Sequence, residues 1–99
     1  MPVKLVVLYP HPRDVDSFER QYVGKHLPLM RELIGPGVPL RTYRTVGASD
    51  RPYYRVAEIH FADMAHFQRF LQGDPTGRGR ESATAVSTGG PPVFLVCDE

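Results

Sequence analysis

One cysteine in 99 residues, Cys97, leaves no partner for an internal disulfide. Apolar runs are scarce as well. The longest near the start, residues 5–8, is too short for a secretory core or a membrane-spanning helix, so no membrane contact and a cytoplasmic location are expected. An excess of charge of one sign is also missing: 12 basic residues stand against 11 acidic ones along the chain, and a net +1 offers little to a polyanion. The four histidines, at positions 11, 26, 60 and 66, do not fall at the one-helix-face spacing that zinc hydrolases use, and no metal is expected. Gly77-Arg-Gly-Arg80 lacks the third glycine of a dinucleotide fingerprint and does not directly follow a strand, so it reads as a solvated basic turn. The glycine–aromatic signature of RNA-binding sheets is absent too, which argues against a nucleic-acid partner.

What is present suffices for one small globular domain over residues 1–99, with 41% hydrophobic and 23% charged residues. Residues 3–9 form a β-branched apolar run closed by Pro10-His-Pro12, a first strand followed by a stiff loop. Asp16 with Glu19 three positions on resembles a capping box, and Phe18, Tyr22, His26 and Met30 recur at spacing four, the mark of an amphipathic helix. Pro28 disfavours helical geometry at Leu27, so the helix is expected to end or kink near His26, with a short second turn toward Leu33. After the Gly35-Pro36-Gly37 break, residues 38–46 and 53–61 read as two strands joined by the turn Gly47–Pro52. Asp63 caps a second helix with Met64, Phe67, Phe70 and Leu71 on one face and Gly73 at its end. Residues 76–87 are small and polar, so a helix there is expected to be short, weakly held and mobile. Residues 93–97 make the last strand.

The order is β-α-β-β-α-β, an α+β, ferredoxin-like pattern with both helices on one face of a four-stranded antiparallel sheet. Strand one carries Val3, Leu5 and Val7 on one side and Val6 and Leu8 on the other; strand four opposes Val93, Leu95 and Cys97 to Phe94 and Val96. A sheet with a solvated face alternates apolar with polar, so a surface oily on both sides points to a homodimer in which two open sheets cover each other.

Tyr22 and His26, one helical turn apart, lie on the same helix face and can share a pocket. With an unperturbed pKa near ~6.5, histidine exchanges a proton around neutral pH, so His26 is the candidate general base or acid, with Tyr22 orienting a phenolic or carbonyl substrate. The alternative is that His26 caps the kinked helix end through a carbonyl freed by Pro28 while Tyr22 packs in the core. Strand three places Tyr54, Val56, Glu58 and His60 on one face and Tyr53, Arg55, Ala57, Ile59 and Phe61 on the other, without saying which meets the helices. Glu58 is then either a protonated donor to a ligand or part of a structural hydrogen bond or ion pair across the dimer interface, with Arg41, Arg44 or Lys4. Tyr9, Tyr22, His26, Tyr54 and Glu58 form the candidate ligand-binding set, and His26, Tyr22 and Glu58 the catalytic one.

Residues 4–10, the aspartate-containing turn with Phe18, Tyr22 with His26-Leu-Pro-Leu29, residues 54–61 and the closing Thr88-Gly-Gly90 together resemble the EthD family, associated with ethyl tert-butyl ether degradation. The likeness extends over nearly the whole chain. It implies a dimeric α/β barrel, a place beside oxygenase and reductase systems in catabolism, and relatives acting on polyketides or aromatic compounds without an external cofactor. It also implies ligand contact at His26 and the neighbouring tyrosine. Two functions follow as expectations: an oxidoreductase-associated enzyme, or a cyclase or isomerase, acting on an apolar oxygenated or aromatic metabolite; or a non-catalytic ligand-binding or accessory protein of a degradation pathway.

Overall fold

The computed structural model describes residues 1–47 and 51–99. Eight residues of β-branched and aliphatic character make β1 (Val3–Pro10), which runs through the middle of the sheet between β3 (Tyr53–Phe61) and β4 (Val93–Asp98). With β2 (Leu40–Arg44) on the outer edge of β3, the sheet has the order β2-β3-β1-β4, and every pairing is antiparallel. This is the ferredoxin-like arrangement expected from the element order. Strand two is shorter than the apolar span 38–46, and residues 48–50, in the middle of the turn expected between β2 and β3, lie outside the described residues.

Register settles which face meets the helices. Val3, Val7 and Tyr9 of β1 stand beside Phe61, Ala57 and Arg55 of β3, and all six are buried. The opposite face carries Lys4, Val6 and Leu8 beside His60, Glu58 and Val56, all half-buried. The strict alternation fails at one point. Tyr9 pairs with Arg55 and Pro10 with Tyr53, so Tyr54 is the extra residue of a β-bulge, and both Tyr54 and Arg55 are buried. Tyr54 thereby leaves the face of Val56, Glu58 and His60, to which simple period two assigns it, and its ring meets Phe18 edge-on at 5.6 Å.

The first helical segment differs from expectation at its start, and the interruption expected near His26 takes another form. Asp14, not Asp16, caps α1 (Val15–Gln21), accepting from the Ser17 amide at 3.0 Å. Glu19 is thereby free to reach the sheet. At the other end, Pro28 neither stops the helix nor drives Leu27 out of helical geometry (φ −61°, ψ −44°). Residues Tyr22–His26 form a π-turn, with the Leu27 amide bonded to the Tyr22 carbonyl, and α2 (Leu27–Ile34) continues with proline in its first turn. The wider turn makes room for the proline ring and accommodates its missing donor, and π-turns of this kind gather at functional sites.

Asp63 and Gly73 bound α3 (Met64–Gln72) as read from sequence. The weakly held helix expected over residues 76–87 is instead a regular α4 (Arg78–Val86), with Gly79, Ala83 and Val86 buried. Smallness is what lets it dock: a Cβ on Gly79 would stand 3.0 Å from Met30 Sδ and 3.3 Å from Leu33 Cδ1. Asp74 holds its start, accepting from the amides of Arg78 and Gly79 at 3.0 Å each.

Beyond α4, Gly89 closes against the loop that follows β1. A Cβ there would lie 1.6 Å from the His11 carbonyl oxygen, a backbone atom with little freedom to retreat. Gly89→Ala is therefore expected to lower stability by about 1–3 kcal/mol, read as a shift of the urea midpoint with unchanged slope.

Candidate functional site

Between the helices and the buried sheet face lies a cavity of about 400 Å³. It opens where the two hydrophobic clusters of the core meet, the one around Tyr9, Tyr22 and Ala83 and the one around Met30, Ile59 and Phe67. Leu5, Val7, Phe70 and Phe94 extend the apolar wall, and the polar side chains lining it are Tyr9, Tyr22, His26, Asp74 and Arg80. The size suits a small metabolite, and a mostly oily wall with a few converging polar groups is the usual form of a ligand site.

The sheet and the π-turn assemble the polar end. Tyr9 projects from β1 with no exposed surface, while Tyr22 and His26 come from the first and last residues of the π-turn. Their rings are mutually packed: Tyr9 lies 5.3 Å from Tyr22 and 6.3 Å from His26, both edge-on, and Tyr22 lies 5.4 Å from His26. His26 Nε2 is 3.1 Å from the Tyr9 hydroxyl, and Nδ1 is 2.8 Å from Ser82 Oγ on α4. The expected alternative, a histidine bonded to a carbonyl freed by Pro28, does not occur: both ring nitrogens meet side chains.

Burial pulls the His26 pKa from 6.5 down to about 4. The ring is therefore neutral near pH 7, one nitrogen donating and the other accepting. Burial raises the Tyr9 and Tyr22 phenols, so both keep their protons. A neutral imidazole beside two protonated phenols, in a mostly apolar cavity, can accept a proton and can hydrogen-bond a carbonyl or phenolic oxygen.

The same shift has a consequence for stability. A histidine whose folded pKa is depressed binds fewer protons folded than unfolded between the two values. Stability is therefore complete above pH 6.5 and is lost as pH falls toward about 4. The loss is expected to be on the order of 3 kcal/mol, read from urea unfolding between pH 7.5 and 4, and a His26→Gln protein should lack that part of the slope.

Behind Tyr22, a second network holds the wall in place. Arg55, 8% exposed, donates from one terminal nitrogen to both Glu19 oxygens at 3.0 and 2.9 Å and from the other to Thr42 Oγ1 at 3.0 Å. Its guanidinium lies 4.8 Å from the Tyr22 ring centre, and the Tyr22 hydroxyl is 2.9 Å from Thr42 Oγ1. Tyr54 completes the set by donating to Glu19 at 2.7 Å. Burial opposes ionisation of Glu19, but the hydrogen bonds from Tyr54 and Arg55, helped by the Arg55 charge, outweigh it and hold the carboxyl below its ordinary value.

Of the five residues singled out from sequence, the structure thus brings three, Tyr9, Tyr22 and His26, to the cavity. Tyr54 sits one layer behind, bonded to Glu19. Glu58 is not with them: it lies on the open sheet face, 3.1 Å from His60 Nε2 and 3.9 Å from Lys4 Nζ. The ion-pair alternative with Lys4 is the arrangement present, within the chain rather than across an interface. Sequence reading missed Ser82, Thr42 and Arg55. For Arg55 a signal existed, a charged residue alternating with Ala57, Ile59 and Phe61 on the buried face; for Ser82, 56 residues from His26, none did.

Comparison with solved structures yields full-length likenesses. An EthD family protein of Bacillus halodurans is 26% identical, with a TM-score of 0.84 over 100% of this chain and 99% of its own. A dimeric ferredoxin-like protein of Jannaschia is 13% identical, with a TM-score of 0.73 over 100% of both chains. SnoaB, a cofactor-independent oxygenase of Streptomyces nogalater, is 18% identical, with a TM-score of 0.64 over 99% of this chain and 92% of its own. Comparison with curated proteins finds no match. The family model of the EthD domain matches residues 11–80, which include the capped α1, the π-turn with Tyr22 and His26, and the strand that carries Arg55, and the chain belongs to the EthD family.

Proposed function

We propose that this protein is a small-molecule enzyme that binds an apolar oxygenated or aromatic metabolite in the 400 Å³ cavity and uses His26 to move a proton at a carbon next to a carbonyl, without an external cofactor. The observation that carries the reading is a neutral, buried histidine at the polar end of an otherwise oily cavity, flanked by two protonated phenols. Neutrality matters because only the uncharged ring accepts a proton. Tyr9 and Tyr22 become donors for the oxygen on which charge develops once they give up their present partners, His26 Nε2 and Thr42 Oγ1. SnoaB, described as a cofactor-independent oxygenase, has the same fold, which supports placing this chain among enzymes that work with side chains alone.

Candidate carbonyl and phenolic metabolites are to be screened with the native protein and with His26→Ala, after both are shown to fold and assemble alike. Loss of turnover in the variant supports the assignment; equal turnover removes His26 as catalyst. The rival reading, a ligand-binding accessory protein, draws on one feature: both His26 nitrogens already have partners, so a ligand must displace one to reach the ring. Tight binding without turnover of any bound compound would favour it.

The protein acts as a homodimer in this reading. Val6, Leu8 and Val56 in mid-sheet, with Tyr43 46% and Leu95 44% exposed at its edges, leave the face away from the helices largely apolar. Two such faces pack into a barrel about a twofold axis, and the Jannaschia protein, described as dimeric, supports a pair of chains. Sedimentation equilibrium is expected to give twice the 11.1 kDa chain mass, and Leu8→Lys to shift it to one copy. A wild-type protein that stays single at high concentration would sink the barrel.

A further inference from the structure

Ser82 belongs to no part of the reading above, yet it touches the residue on which that reading depends. It stands on α4 with Oγ 2.8 Å from His26 Nδ1, half-buried, so one side of its hydroxyl faces the imidazole. Ser82 also lines a separate surface groove of about 300 Å³, formed with Arg78, Glu81 and Ala85, all three exposed. His26 itself is 4% exposed and Tyr9 is fully buried. Tyr9 Oη, His26 Nε2, His26 Nδ1 and Ser82 Oγ therefore form a hydrogen-bonded line, with links of 3.1 and 2.8 Å, from the floor of the cavity to the outside of the molecule.

We infer that Ser82 is the proton-transfer residue connecting His26 to solvent, so that a proton taken from a substrate in the cavity leaves through α4 and not through the cavity mouth. The inference deepens the proposed function and rests on His26 as the base.

The phenol of Tyr9 keeps its proton and donates it to Nε2, which leaves Nδ1 protonated and donating to Ser82 Oγ. A substrate that takes the place of Tyr9 at Nε2 delivers its proton there and makes the ring cationic for an instant, a state that burial disfavours. The ring relaxes when its Nδ1 proton passes to Ser82 Oγ and the serine's own hydroxyl proton passes to solvent in the groove. One proton enters and one leaves. The imidazole ends neutral with its tautomer reversed, and the return of a proton along the same line resets it.

The test reads the line without any substrate, so its outcome is independent of whether a reaction has been found. In ¹⁵N-histidine-labelled native protein, the nitrogen shifts of His26 are expected to show Nδ1 protonated and Nε2 bare. The reverse assignment in the resting protein would overturn the inference. Exchange of the Nδ1 proton with solvent is then compared in Ser82→Thr and Ser82→Val, two side chains of the same shape that differ in the hydroxyl. The threonine variant is expected to exchange at nearly the native rate and the valine variant at least about tenfold more slowly. Equal rates in the two would show that the proton leaves by another way. If valine disturbs α4, the Ser82→Thr protein and the native nitrogen shifts still decide: a native-like Ser82→Thr protein whose Nδ1 proton exchanges at least about tenfold more slowly than in the native protein would count against the line.

Discussion

The His26→Ala protein is expected to turn over its substrate about 10²–10⁴-fold more slowly than the native protein while binding it nearly as well, the loss that follows removal of a positioned general base. The separation between turnover and binding comes from the cavity. Most of its wall is aliphatic and aromatic, from Leu5 and Val7 on the sheet to Phe67 and Phe70 on α3, and those surfaces hold a ligand whether or not the imidazole is present. What disappears is the proton acceptor. The pH profile offers a second check. Because the ring stays neutral down to about pH 4, turnover limited by His26 as base is expected to stay level as pH falls past 6.5 and to drop only as pH approaches 4. A fall centred on the ordinary histidine value would mean that the base is not this buried ring.

The second large effect lies behind the site. Glu19→Ala is expected to cost about 2–3 kcal/mol of stability, because it leaves the Arg55 guanidinium buried without its carboxylate and removes the acceptor of the Tyr54 hydroxyl. Full burial of both partners would place the cost higher, but a quarter of the Glu19 side chain is in solvent, and water can partly replace what is lost. The penalty comes from the orphaned cation, so the double variant Glu19→Ala with Arg55→Met should regain part of it in a double-mutant cycle. No recovery would mean that packing around Glu19 carries the cost. A change in ligand affinity should accompany the loss of stability, since Arg55 lies over the Tyr22 ring and shares Thr42 Oγ1 with the Tyr22 hydroxyl. Loosening Arg55 loosens a wall of the cavity.

The elements readable in advance were those specified by neighbours along the chain. Asp63 and Gly73 bound α3 because a side-chain cap and a helix-ending glycine act within one turn of the backbone they serve. Residues 53–61 were readable as a strand because alternation is local, and the pairing of Tyr22 with His26 because spacing four places rings on one helix face. Local reading went astray where a distant contact outweighed a local preference. Proline at 28 suggested a break, yet a π-turn absorbs it while Tyr22 and His26 are held against β1. Gly79 and Ala83 suggested a loose segment, yet their lack of bulk is what lets α4 close over α2 and the sheet. Tyr54 fell on the wrong side of β3 because a bulge is a property of two paired strands.

By itself, then, the sequence determined the ferredoxin-like order of strands and helices, the double-sided apolar sheet and the placing of Tyr22 and His26 on one helix face, because periodicity and capping depend on residues a few positions apart. Only the tertiary structure decided that Glu58 faces away from the cavity, that Arg55 and Glu19 brace Tyr22, and that Ser82 meets His26. Those facts depend on strand register and on the docking of α4 across 56 residues of chain, where long-range burial and not local spacing chooses the neighbour.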